Sequence, residues 1–294
     1  MIEIDRYLTQ KKEIVNRALK ECLPDTGPKA VREAMRYSLE AGGKRLRPIL
    51  TLAAAETLGC DDHDVIDVAC ALELVHTYSL IHDDLPAMDD SDLRRGKPTC
   101  HKVYGDAVAV LAGDALLTLS FELLSRYGLK PGRAEKAARI GTELGKTAGV
   151  TGMIGGQVLD LEAEGRDLTL LEIETISAMK TGALLKASVI CGALAADAGS
   201  KELELLDRYA SKIGTAFQII DDLLDVESSA EELGKPTGAD RDRFKPTFPA
   251  VLGPDEARSR AESLYNEAIM ALTGLNRPVE LLTGLAKKMV FRSK

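Results

Sequence analysis

Nowhere along its 294 residues does this chain sustain the alternation of apolar and polar side chains that a half-buried strand requires. Apolar positions return instead every three or four residues, in segments opened by Pro or closed by Gly. Pro28 can open a helix through VREAMRYSLEA that stops at Gly42-Gly43. Pro48 can open the next, through ILTLAAAETL to Gly59. An acidic cap around Asp61 to Asp64 precedes a long one, VIDVACALELVHTYSLIHDD. Further helices are predicted at 104–127, 133–149, 152–163, 169–198, 201–226 and 255–273, with a last one near the C-terminus. The pattern predicts an all-α fold. With no Gly/Ser-rich linker and no composition break, one large helical domain is expected over 1–294. The longest irregular stretch, SSAEELGKPTGADRDRFKPTFPAVLGP at 228–254, is a candidate functional loop.

Charge narrows the partners. A net charge of −8 argues against nonspecific binding to nucleic acid or to an anionic membrane. An anionic ligand must then be met by a few placed Lys and Arg, or by metal ions. The five cysteines include no C-x-x-C pair, so reduced thiols in a cytoplasmic protein are expected. The N-terminus, MIEIDRYLTQKKEIV, is amphipathic and lacks a signal-peptide core. No uninterrupted apolar run approaches the roughly 18 residues of a membrane span.

Against that background one stretch stands out. Asp83, Asp84, Asp89, Asp90 and Asp92 fall within ten residues at the end of the long apolar helix, and Arg94 and Arg95 follow. Taken alone, such an acidic run is commonly a solvated turn. It has an echo, however: FQIIDDLLD (217–225) repeats the apolar approach, the Asp-Asp pair and the further Asp of YSLIHDDLPAMD (78–89). Asp221 and Asp225, four apart, lie about 40° apart around a helix, and Gln218 joins that face. Asp83 and Asp89, six apart, would diverge by about 120° on a continuous helix. Pro86 disfavours that continuation, so a helix end is expected there, which can bring Asp89 back toward Asp83.

Carboxylates crowded together repel one another, and divalent cations relieve the repulsion. All-oxygen ligands select hard cations, and Mg²⁺ is often held by one or two carboxylates plus substrate phosphates. Two such clusters facing each other suit a metal-bridged polyphosphate. The spacing excludes an EF-hand, and Gly43-Lys44 does not fit a Walker A loop. Arg and Lys near these clusters are the natural phosphate contacts: Lys44, Arg47, Arg94, Arg95, Lys180, Lys235 and Lys245. His76 lies seven residues before Asp83, about 20° off the same helical face.

The chain resembles the trans-prenyl diphosphate synthases, particularly the short-chain bacterial farnesyl diphosphate synthases. The resemblance runs in order through GGKRLRP (42–48), HTYSLIHDDLPAMDDSDLRRGKPT (76–99), GGQVLDL (155–161), KTGALL (180–185), FQIIDDLLDV (217–226) and LGKPTGAD (233–240). It implies helices around a central cavity, usually in a homodimer. It implies condensation of isopentenyl diphosphate with dimethylallyl or geranyl diphosphate, with three Mg²⁺ for which Mn²⁺ can substitute. Asp83 and Asp89 would bind two of the ions with Asp84 supporting, and Asp221 the third beside Asp222 and Asp225. Arg94, Lys180 and Lys235 would hold the allylic diphosphate, with Thr181 and Gln218 near the reacting carbons. Lys44, Arg47, His76 and Arg95 would hold isopentenyl diphosphate, and Gln157 and Asp160 would support the residues that touch the substrates. Phe244-Lys245 and Thr247-Phe248-Pro249 depart from the Asn-Lys and Thr-Tyr-Pro often found in the family, which leaves the role of Lys245 open. The 228–254 loop and the C-terminal tail with Arg292 are candidate closing elements.

Ser79 and Tyr78 lie four and five residues before Asp83, roughly 6 to 7.5 Å down the helix from the metals. A bulky Tyr78 there can floor the cavity, and the Tyr-Ser pair resembles farnesyl synthases. A C15 product is expected, with C10 and C20 as alternatives. A terpene cyclase would need no separate isopentenyl site, which GGKRLRP and Arg95 supply. A non-catalytic partner subunit would tend to have lost an acidic motif.

Overall fold

Helix follows helix in the computed structural model, which describes residues 3–227 and 247–292. The first, α1 (Ile4–Cys22), buries a narrow stripe of Tyr7, Val15 and Leu19 and leaves its charged face in water. Pro28 caps α2 (Lys29–Glu40), as expected. The next helix, α3 (Leu46–Thr57), begins two residues before Pro48, because Arg45 takes a left-handed turn (φ 52°) that starts it early. Pro48 then sits in the first turn, where no backbone N–H is needed. A long helix, α4 (Asp62–Asp83), is buried around most of its circumference from Val65 to Ile81. It runs through the interior, packed by α3 and by the helices α6 (Asp106–Gly128) and α10 (Ala183–Ala195). Such a helix must be apolar all round rather than on one stripe.

The predicted helix at 104–127 divides at Gly105 (φ 81°) into α5 (Cys100–Tyr104) and α6. After α6 come α7 (Ala134–Ala148), α8 (Met153–Glu162) and α9 (Leu170–Ser177). Thr169 and Glu172 close a capping box at the start of α9, each satisfying an orphan amide. The predicted helix at 169–198 is broken in its middle by a π-helical turn, Ala178–Gly182, before α10 resumes. The remaining helices among the described residues are α11 (Ser200–Glu227), α12 (Phe248–Leu252), α13 (Pro254–Thr273) and α14 (Glu280–Val290). The strands among the described residues are β1 (Leu93–Arg94) and β2 (Lys97–Pro98), a two-residue hairpin that periodicity cannot register.

Aliphatic residues of α3, α4, α6, α10, α11, α13 and α14 form the core. By length and composition three segments could cross a membrane: Asp62–Asp83, Asp106–Gly128 and Leu170–Ala195. The sequence expectation counted unbroken apolar runs only, and these three segments qualify by mean hydropathy with polar residues interspersed. Their most apolar windows are 67%, 44% and 67% buried inside the fold, so packing already uses most of the apolarity of two of them. All five cysteines are free thiols, with Cys70, Cys100 and Cys191 buried.

Candidate active site

The first acidic arm is built by the break at Pro86. Helix α4 ends at Asp83, and the chain folds back so that the Asp89 amide donates to the Asp83 carbonyl at 2.8 Å. The Asp90 amide reaches Leu85 O and the Ser91 amide reaches Asp84 O, which fixes the turn. Asp89 thus returns beside Asp83, as the sequence predicts. Burial raises the Asp83 carboxyl above the ordinary carboxylate range; the Lys180 charge opposes this and Asp89 adds to it. Asp84 has a different task. It is 3% exposed, and both its oxygens accept from Arg94, from Nε at 2.7 Å and from Nη2 at 2.6 Å. This forked pair orients the Arg94 guanidinium and leaves it further N–H donors.

The hairpin explains why two consecutive arginines diverge. Its turn residues, Arg95 and Gly96, both have positive φ (55° and 74°), as in the primed turns that suit tight hairpins. Arg94 stays in the strand beside Asp84, while Arg95 is thrown across to donate to the Gly42 carbonyl. There it lies on Gly43, where a Cβ would come within 2.6 Å of the guanidinium carbon.

Arg95 thereby joins a second, cationic cluster. Arg47 Nη1 lies 3.2 Å from His76 Nε2, and Arg47 Nε is buried with no hydrogen-bond partner among the described residues. Burial pushes Arg47 down to about 10, opposed by Glu73 and Asp221. Burial, then the charges of Arg47, Arg95 and Arg94, hold His76 well below its usual value, so the ring is neutral. Burial, then Arg292, lowers Lys44. The mutual repulsion of Arg47 and Arg95 around the buried His76 is what a bound anion would relieve. Two residues missed in sequence hold the cluster in place. Arg45, 5% exposed, donates to Glu73 and to Asn16 Oδ1, each at 2.8 Å, and also to the Leu39 carbonyl. Glu73 is 2% exposed, and the signal for it was a lone glutamate inside the apolar run CALELVH, three residues before His76.

The second acidic arm lies on α11. Asp89, Asp160, Lys180, Thr181, Gln218 and Asp222 line one cavity of about 170 Å³ with Thr247 and Phe248. The two Asp motifs therefore face each other across shared space. The π-helical turn displays Lys180 and Thr181 together toward it, and Lys180 Nζ pairs with Asp160 Oδ2 at 2.7 Å. Gly156 on α8 lets the backbone of that turn approach, since a Cβ there would stand 2.3 Å from the Lys180 nitrogen. Gln157 Nε2 is buried with no partner among the described residues. Gln218 donates to Asp222 at 2.7 Å, and the Phe248 amide to its other oxygen at 3.1 Å. Gln218 thus bonds Asp222, four residues on, and lies between the directions of Asp221 and Asp222 around α11. Asp221, 43% exposed, pairs instead with Arg292 at 2.5 Å. Asp225 is buried on the same helix. Among the described residues no three His, Cys, Asp or Glu side chains converge closely enough to hold a metal ion. Lys235 and Lys245 lie outside the described residues.

Tyr78 is 5% exposed, with its hydroxyl buried and without a partner among the described residues. Its ring meets His82 edge-on at 5.6 Å, and burial, then Asp83, pushes the phenol up to about 12. Ser79 turns its hydroxyl back to the His76 carbonyl at 2.9 Å.

A family model described as polyprenyl synthetase matches residues 28–275. The farnesyl diphosphate synthase of Bacillus subtilis (strain 168) is 48% identical over 291 residues, covering 99% of this chain and 98% of that protein. A chloroplastic geranylgeranyl pyrophosphate synthase of Capsicum annuum is 47% identical over 290 residues, 97% of this chain and 78% of that protein. Among solved structures, an FPP/GFPP synthase from Zymomonas mobilis superposes with a TM-score of 0.86 at 37% identity, covering 98% of each chain.

Proposed function

The chain belongs to the polyprenyl synthetase family of prenyl-transferring enzymes, and we propose that it condenses isopentenyl diphosphate with dimethylallyl and then geranyl diphosphate to give farnesyl diphosphate. The observation that carries this reading is the shared cavity. Asp89 of the first acidic arm and Asp222 of the second line it together with Lys180, and a separate cluster of Arg47, His76 and Arg95 stands apart from it, with Arg47 and Lys44 both in the field of Asp221.

The donor set fits Mg²⁺. It is all carboxylate oxygen, the donor type of an ion that takes one or two carboxylates and completes its shell with water and substrate phosphate. Asp83, Asp89 and Asp221 are the proposed ligands of three ions, supported by Asp84, Asp222 and Asp225, with Mn²⁺ a substitute. When bound, the ions supply the positive charge that makes diphosphate a competent leaving group. Arg94, oriented by Asp84, and Lys180, oriented by Asp160, bind the allylic diphosphate and share that charge as it develops. Lys235 joins them in the proposal. Thr181 and Gln218 stand by the reacting carbons. The neutral His76 with Arg47, Lys44 and Arg95 holds the second diphosphate, which places the isopentenyl double bond for attack on the allylic cation. The proton then leaves to the departing diphosphate, since no side chain among the described residues is arranged as a dedicated base. Tyr78 and Ser79 floor the cavity and set its length.

The near-equal identity to farnesyl and geranylgeranyl synthases leaves the product to an assay. Purified protein is incubated with isopentenyl and dimethylallyl diphosphates and Mg²⁺, and products are identified by mass. Mostly C15 is expected; mostly C20 or longer refutes the assignment of length, and no prenyl product refutes the function. A homodimer belongs to the same proposal, supported by the exposed apolar side chains Val110, Leu111 and Phe121 on α6. A cytoplasmic location is supported by the five free thiols.

A further inference from the structure

Asp221 already holds a cation, supplied by the chain itself. Arg292, just after α14, donates from Nη2 to Asp221 Oδ1 at 2.5 Å. Its guanidinium carbon lies 4.3 Å from the centroid of the Phe217 ring, one turn before Asp221 on α11. The side chain is 11% exposed, and its Nε is buried with no partner among the described residues. Arg292 is therefore held by one carboxylate oxygen and one aromatic face, and its bond to Asp221 engages one of the five N–H donors of a guanidinium. It also has somewhere to go. With Lys12, Lys44, Phe217, Lys288 and Phe291 it lines a cavity of about 500 Å³.

We infer that Arg292 is the resident counter-ion of Asp221, which a divalent cation must displace before the second acidic motif can be loaded. The inference rests on the proposed role of Asp221 as a metal ligand. One carboxylate cannot give its full charge to a guanidinium and to a metal at once, so the two compete. The ion pair saves Asp221 from standing unneutralised when no metal is bound, at the cost of a weaker metal site. Arg292 is in this sense a positioning residue: it acts on the metal through Asp221, and its loose tether is what makes the exchange reversible. Its displacement would move one positive charge from the second acidic motif into the cavity shared with Lys44, whose ammonium the Arg292 charge already disfavours.

The test is a titration of Mn²⁺ into the full chain with saturating inorganic diphosphate, free Mn²⁺ being counted by electron paramagnetic resonance. Arg292→Gln should bind Mn²⁺ about fivefold more tightly, the scale of a partly exposed ion pair. Arg292→Lys, which keeps the charge, should stay near wild type. In an Asp221→Asn background Arg292→Gln should change nothing. Equal or weaker Mn²⁺ binding by Arg292→Gln overturns the inference while leaving the metal site standing, and so does an effect that persists without Asp221. A wild-type protein that binds no Mn²⁺ overturns both this inference and the metal reading beneath it.

Discussion

Glu73 is not among the proposed substrate contacts, yet its charge should be among the most costly in the molecule to remove. It is 2% exposed and accepts from Arg45, itself 5% exposed, at 2.8 Å. Its field also favours the charged forms of Arg47 and Arg95. Glu73→Gln keeps the shape and one acceptor but leaves Arg45 buried with no full counter-charge. Breaking a buried pair in this way costs about 3 to 5 kcal/mol, and the isostere belongs at the low end, about 3. Unfolding entropy of about 2.1 cal/mol/K per residue over 294 residues comes to about 0.6 kcal/mol/K. The melting temperature should therefore fall by about 5 °C in scanning calorimetry. Inorganic diphosphate should recover more of the loss in the variant than it adds to wild type, because the cationic cluster then lacks its internal anion. A shift under about 1 °C, or equal gains with diphosphate, would refute the argument that Glu73 neutralises this cluster.

Two further outcomes follow from the same geometry. His76 is held neutral in the fold, with its folded pKa well below the unfolded value, so on acidification the unfolded chain takes up a proton that the native chain refuses. The stability His76 contributes is full above the unfolded value near 6.5 and is lost below it, by about 1.4 kcal/mol at pH 5.5. Urea unfolding across that range should give a slope for His76→Asn flatter by about one proton than for wild type; parallel slopes would contradict the neutral ring. Tyr78→Ala should lengthen the product beyond C15 and lower stability by about 3 kcal/mol, the usual cost of deleting a buried aromatic. An unchanged C15 product measured by mass would remove Tyr78 from the floor of the cavity.

Much of this architecture was legible in the sequence because its punctuation is local. Pro28 fixes where α2 starts, and Pro86 fixes where α4 stops; each acts on its own backbone. The return of Asp89 to Asp83 is permitted by that break and fixed by the backbone bonds of the turn after it. What escaped was whatever depends on rotation or on distant partners. Asp221 and Asp222 differ by about 100° around α11, and only the packing of α11 on its neighbours decides that Asp222 faces the cavity. The Arg45–Glu73 pair joins residues 28 apart on two helices, and nothing in either segment announces the other. The early start of α3 escaped too, since a left-handed arginine has no signature in the sequence. The π-helical turn is likewise invisible to a search for a 3.6-residue period, because it is one residue's departure from that period.

That turn separates two half-rods with different obligations. Before it, α9 answers to α8 and α12; after it, α10 answers to α3, α4 and α7, while α11 touches both halves and the turn between them. A continuous helix would force both halves to bury faces in a single fixed phase. The extra residue works as a slipped gear tooth, letting each half engage its own neighbours. The slip falls at Lys180 and Thr181, so the timing error that reconciles two packing faces is spent where two consecutive side chains must point into one cavity.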